Sequence, residues 1–122
     1  MASQPLVVTV VEDNPAFLKS LTRLLRVYGF ESRTFASAEA LLDSDEVRTT
    51  TCLLLDIHLG GISGIELRRR LTAAGSNSPV IFMTAIDDEA TRKEAMNAGC
   101  VAYLHKPFAP QLLLEALEKV MA

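Results

Sequence analysis

The sequence predicts a doubly wound α/β domain, with five parallel strands in the order 2-1-3-4-5 and helices on both faces of the sheet. Three observations carry this. The runs Leu6–Val11, Thr51–Asp56 and Pro79–Thr84 are short and almost wholly apolar, as strands buried on both faces are. Two further runs, Glu31–Phe35 and Val101–His105, are more polar, as edge strands are. A helical stretch follows each run, and such alternation implies a parallel sheet covered on both sides. With the polar strands at the edges and right-handed crossovers, the order follows, and its switch point falls between strands one and three.

Taken in order, the first strand ends at Glu12-Asp13. Asn14 is a good N-cap and Pro15 a good first helical residue. That helix reaches about Tyr28, with Leu18, Leu21, Leu25 and Tyr28 on one stripe, and Gly29 stops it. After the second strand, Ser37 caps a short helix through Leu42, and Asp43 to Thr50 is a polar connection. The third strand ends in Asp56, followed by Ile57-His58-Leu59-Gly60-Gly61-Ile62-Ser63-Gly64, a loop shaped by three glycines. Ser63 and Glu66 have the spacing of a capping box. The third helix turns Leu67, Leu71 and Ala74 inward and Arg68, Arg69 and Arg70 mostly outward, and Gly75 ends it.

After the fourth strand, Asp87 or Asp88 caps a helix to Ala98, closed by Gly99. This helix offers few apolar residues: Ala90, Ala95, Met96 and Ala98. Little buried area suits an element that moves, and equally suits a merely solvated helix. Met83 and Met96 read as core or near-core filler. Pro110 begins a last helix with Leu113, Leu114, Leu117 and Val120.

Composition narrows the function. The chain has 122 residues, a usual size for one domain, and 49% hydrophobic residues exclude disorder. Net charge is −3, with Arg68–Arg70 the main basic tract, which argues against direct nucleic-acid binding. The apolar runs are too short to span a bilayer, and residues 1–5 lack the basic start of a signal peptide. Cys52 and Cys100, in apolar settings, read as reduced thiols of a cytoplasmic protein.

The topology gathers chemistry at one rim. Glu12 and Asp13 leave strand one, Asp56 leaves strand three beside them, Thr84 ends strand four, and Lys106 follows strand five. In an open α/β sheet this carboxyl edge is where ligands bind. Three clustered carboxylates repel one another unless a cation sits among them, and hard oxygen ligands suit Mg²⁺. Lys106 adds a second positive charge, and the Thr84 hydroxyl can donate a hydrogen bond. Phosphoryl transfer needs such a set, with Asp56 as a nucleophile that forms an acyl phosphate. Each member also has a plainer reading. Asp56 can be a strand-end cap, Asp13 a charge at a helix start, Glu12 a solvated rim residue, Thr84 a strand residue, Lys106 a loop lysine and Tyr103 edge-strand packing. The His58 and His105 side chains read as solvent-facing or edge residues.

Over essentially its whole length, the chain resembles the receiver domain of bacterial two-component response regulators. The residues that carry the resemblance are Glu12-Asp13, Asp56, Thr84-Ala85 and Lys106-Pro107-Phe108, in this order and at these strand ends. Thr34-Phe35-Ala36-Ser37-Ala38-Glu39-Ala40 and the Lys106-Pro107-Phe108 ending look most like receivers of the FixJ type, which usually precede a helix-turn-helix DNA-binding domain.

The resemblance implies a flavodoxin-like fold and a role for each residue. Asp56 would accept a phosphoryl group from a sensor histidine kinase. Asp13, helped by Glu12, would hold Mg²⁺ with Asp56 and the backbone carbonyl of His58. Thr84 would swing toward the phosphoryl group, with Tyr103 rotating inward behind it. Lys106 would pair with a phosphoryl oxygen, its bond to Pro107 would be cis, and small Ala85 would leave room. The face of helix four, strand five and helix five would report the state, in the FixJ type by homodimerisation.

Residues 1–122 are thus expected to form one receiver domain without an output domain, a switch that is not a turnover enzyme and at most catalyses its own phosphorylation and dephosphorylation. It is expected to be cytoplasmic, to contact neither membrane nor DNA directly, and to control transcription through an attached domain. A stand-alone receiver, a non-phosphorylated interaction module and an aspartyl-nucleophile phosphatase are the rival readings. The phosphatase usually carries a second Asp where His58 stands. One departure concerns Leu59-Gly60, where the family usually has Met-Pro or Leu-Pro; the missing proline should loosen the loop after Asp56.

Overall fold

The computed structural model describes residues 6–121. Residues 1–5, read above for a leader, lie outside the described residues. The elements are β1 (Val7–Val11), α1 (Pro15–Val27), β2 (Glu31–Phe35), α2 (Ala38–Leu42), β3 (Cys52–Asp56), α3 (Gly64–Ala73), β4 (Val80–Thr84), α4 (Glu89–Ala98), β5 (Ala102–His105) and α5 (Pro110–Met121). The strands form one sheet in the order β2-β1-β3-β4-β5, and every pairing is parallel. Val11 lies level with Leu55, Asp56 with Met83, and Thr84 with His105. This register brings the carboxyl ends of β1, β3, β4 and β5 to one edge.

Alternation along each strand divides the core. Val8, Val10, Leu54, Ile81 and Met83 face α1 and α5, where Leu21, Leu25, Leu113 and Leu117 close the layer. Val11, Leu53, Leu55, Val80 and Phe82 face α2, α3 and α4, against Leu41, Ile65, Leu67 and Ala95. β3 and β4 are buried along their whole length, which is why their sequences are apolar runs rather than alternating ones. Each buried leucine of β3 contributes about 1.5–3 kcal/mol. Thr9, polar and fully buried, donates its hydroxyl to Thr50 Oγ1 at 2.7 Å.

The helix starts follow the expected chemistry. Asn14, Ser37, Ser63 and Asp88 each accept a backbone N–H from the first turn of their helices. Of the two candidate caps on α4, Asp88 fills the position, and Asp87 pairs with Arg92 instead. The Ser63–Glu66 box is half formed: Ser63 accepts the Glu66 N–H, while the Glu66 carboxylate bonds Arg70.

Three expectations need correction. Ala74 is exposed, because α3 has ended and the chain turns away at Gly75, whose φ is +93°. Met96 is 51% exposed rather than near-core, because α4 presents Ala95 to the sheet and its neighbour falls on the solvent side. The connection after α2 holds a 3₁₀ turn, Glu46–Thr49, which rests Val47 on the core. Cys52 and Cys100 are free thiols, as expected.

Candidate functional site

Asp56 is the last residue of β3, a strand buried along its whole length, and its side chain is 6% exposed. A carboxylate there needs partners. Its Oδ1 accepts the His58 N–H at 3.2 Å, and its Oδ2 accepts from Lys106 Nζ at 3.2 Å. The next helix starts against it. At Gly64 a Cβ would fall against the Asp56 carbonyl oxygen, so glycine is what lets α3 begin so close to the carboxylate.

Lys106 arrives from the far side of the sheet, after β5. Its ammonium lies 2.5 Å from Glu12 Oε1, and the Lys106–Pro107 peptide is cis. The ammonium also lies over the ring of Phe17 of α1, 4.4 Å from its centroid. Phe17 in turn meets Phe108 edge-on, with centroids 6.0 Å apart.

Glu12 is 1% exposed, so it is not the solvated rim residue that was its plainer reading. Its carboxylate accepts from Lys106 and from the Asn14 N–H at 3.0 Å. Burial pushes the Glu12 carboxyl up; Lys106 and the Asn14 N–H pull it down, and the Asp56 charge adds to the rise. Asp13 is exposed. Carboxylate oxygens of Glu12, Asp13 and Asp56 lie within 4.8 Å of one another. That is a cluster of hard oxygen donors of the kind a small divalent cation takes, open to solvent on the Asp13 side.

Residues 8–118 match the response regulator receiver domain. The chain belongs to that family. Among curated relatives, nodulation protein W of Bradyrhizobium diazoefficiens is 40% identical over 116 residues, which is 95% of this chain and 51% of that protein. Transcriptional regulatory protein TdiR of Thauera aromatica is 36% identical over 94% of this chain and 51% of its own length. FixJ of Bradyrhizobium diazoefficiens is 35% identical, covering 92% and 55%. The chain therefore spans about half the length of the curated relatives it matches. The crystal structure of FixJ-N superposes with a TM-score of 0.87 at 35% identity, over 97% of this chain and 94% of that one. As a response-regulator receiver domain, the chain belongs to two-component signalling, and its relatives include transcriptional regulators.

Thr84 and Tyr103, two further residues expected at the site, lie on β4 and β5. Thr84 is fully buried at the end of β4. Its hydroxyl donates to the Ile86 carbonyl at 2.9 Å and accepts the Ile86 N–H at 3.0 Å, so it is engaged with the β4–α4 loop. Tyr103 on β5 is half-buried, and its hydroxyl is enclosed without a hydrogen-bond partner. Burial first, then the Asp87 charge, raises the tyrosine's pKa. Arg92 lies over the Tyr103 ring, 5.0 Å from its centroid, and holds both Asp87 oxygens at 2.9 Å. The His58 side chain is exposed, and His105 stands on the edge strand with a ring nitrogen 3.3 Å from the Ala85 carbonyl. Among the described residues, no helix is long and apolar enough to cross a membrane.

Sequence reasoning did not single out Phe17, Asp87, Arg92 or Glu39 for the site. Phe17 had a usable signal, an aromatic residue on the apolar side of α1 in its first turn. Arg92 and Asp87 had none, since charged residues at a helix start are ordinary.

Proposed function

We propose that this receiver takes up a phosphoryl group on Asp56 and passes the change to its α4–β5–α5 face. The observation that carries the reading is the Lys106 ammonium, 3.2 Å from a nearly buried Asp56 carboxylate that shares its rim with Glu12 and Asp13. Family membership and the names of the relatives support a sensor histidine kinase as the donor.

In the proposed step, a carboxylate oxygen of Asp56 attacks phosphorus. The phosphorus–nitrogen bond of the donor phosphohistidine breaks, and its electron pair returns to the imidazole. Mg²⁺, held by Asp13, Asp56 and the His58 carbonyl with Glu12 behind them, would offset charge on the phosphoryl oxygens. Lys106 already faces Asp56 Oδ2 and would pair with a phosphoryl oxygen. Ala85 adds little bulk where the group would sit. The Thr84 hydroxyl would leave Ile86 and donate to the phosphoryl group. Giving up its bonds to Ile86 costs about 0.5–1.5 kcal/mol each, and a bond to a charged acceptor returns about 1.5–3 kcal/mol. The two positions are therefore close in free energy, as a switch requires.

Movement of Thr84 pulls on the β4–α4 loop and on α4, which buries one side chain, Ala95. Next to α4, Met96, Val101 and Leu112 are exposed around a groove of about 300 Å³ that Arg92, Tyr103, Glu115 and Lys119 also line. That face is the proposed homodimer contact of the phosphorylated state. Control of transcription is supported by the names of TdiR and FixJ, and a further half to carry it by the length of the relatives; that half would bind DNA in the cytoplasm. The test is incubation with acetyl phosphate and MgCl₂, then intact mass. A single phosphoryl adduct on the wild type, absent in Asp56→Asn, is expected; no adduct, or an equal one in the variant, overturns the reading.

A further inference from the structure

The loop after Asp56 lacks the family's usual proline, yet it is tied down from another element. Glu39 on α2 accepts the Ile62 N–H at 3.1 Å, across 23 residues of sequence. Among the described residues, this is the hydrogen bond that joins 59–62 to a different element. Leu59 and Ile62 rest against the core on either side of Gly60 and Gly61, which are exposed. At Gly61 a Cβ would lie 2.5 Å from Glu39 Oε2 and 3.2 Å from Cδ, so a side chain there would displace the carboxylate. At Gly60 a Cβ would meet Asp13 Oδ2 at an ordinary 3.9 Å. Gly61 is thus fitted to Glu39, and Gly60 brings the same loop alongside Asp13. The Glu39 carboxyl is held below its usual range by its own N–H and by that of Ile62, so it stays a charged acceptor at neutral pH.

We infer that Glu39 is a positioning residue for phosphoryl uptake: by holding the Ile62 N–H it fixes the loop 57–63 that walls the acidic rim. The inference rests on Asp56 being the phosphoacceptor. Loss of the bond leaves Gly60-Gly61 free to sample many conformations, so the His58 carbonyl at the start of that stretch is less closely held, while the His58 N–H keeps its bond to Asp56 Oδ1. Glutamine at position 39 keeps an oxygen acceptor of nearly the same reach, whereas alanine has none.

Two readouts on the purified chain test this. Backbone amide exchange of Ile62 is followed by NMR, and phosphoryl uptake from acetyl phosphate with MgCl₂ by intact mass against time. In Glu39→Ala, Ile62 exchange is expected to accelerate about tenfold and uptake to slow about three- to tenfold, with the urea midpoint little changed. Glu39→Gln is expected to restore most of both. Unchanged Ile62 exchange in Glu39→Ala, or faster exchange with unchanged uptake, overturns the inference alone. Absence of uptake in the wild type overturns the phosphoacceptor reading and the inference with it.

Discussion

Lys106→Met removes the ammonium at the centre of the site, with its contact to the Phe17 ring, and keeps an unbranched side chain. The lost charge lies 2.5 Å from Glu12 and 3.2 Å from Asp56, on side chains 1% and 6% exposed, and Lys106 itself is 14% exposed. Removing one partner from a buried ion pair costs about 3–5 kcal/mol. Here the rim is open at Asp13, so water reaches part of the freed charge, and Glu12 can take up a proton. The expected loss at about pH 7.5 is therefore ~2–3 kcal/mol. Lys106 is one of the groups holding the Glu12 carboxyl down against burial, so in the variant that carboxyl rises further. A carboxyl raised in the folded state binds more protons there than in the unfolded chain. Its contribution to stability is complete below the unfolded value near 4.5 and is lost as pH rises through the folded value. The deficit of Lys106→Met should accordingly shrink as pH falls from about 7.5 to about 5.5. Urea unfolding of both proteins at the two pH values measures it. A deficit under about 0.5 kcal/mol at the higher pH, or an equal deficit at both, would refute the assignment of Lys106 as the cation of this rim.

Three further outcomes follow from the packing. Gly64→Ala places a methyl group against the Asp56 carbonyl and should cost ~2–3 kcal/mol in urea unfolding, while Gly60→Ala, which meets open space and Asp13, should stay within ~0.5 kcal/mol. Thr84→Val leaves the Ile86 N–H without its acceptor; a loss of ~1–2 kcal/mol and faster exchange of that amide are expected, and unchanged exchange would contradict the hydrogen bond. Burial pushes the Cys52 thiol up to about 12, so in the native protein a thiol reagent should modify half-buried Cys100 first and Cys52 only on unfolding, as read by peptide mass.

What the sequence made legible was local or periodic. Leu53-Leu54-Leu55 announces a strand buried on both faces, and Asn14-Pro15 a helix start, because each is specified by neighbours in the chain. The gathering of Glu12, Asp13, Asp56 and Lys106 was readable because parallel topology sends all strand ends to one edge. The unreadable parts depend on which side chains meet across the fold. The Glu39–Ile62 bond joins α2 to a loop, and the Arg92–Asp87–Tyr103 group joins α4, a loop and β5; neither leaves a period. Met96 was misplaced because α4 has so weak an apolar stripe that its phase against the sheet is set by Ala95. The turn at Glu46–Thr49 was missed because a single apolar residue, Val47, anchors it.

The most direct measurement locates the phosphoryl group itself. After incubation with acetyl phosphate and MgCl₂, borohydride reduces an acyl phosphate to an alcohol, and peptide mass spectrometry finds the altered residue. Reduction at Asp56, dependent on the divalent ion, is the predicted result. Reduction at Glu12 or Asp13, or none while the protein remains folded, would contradict the account.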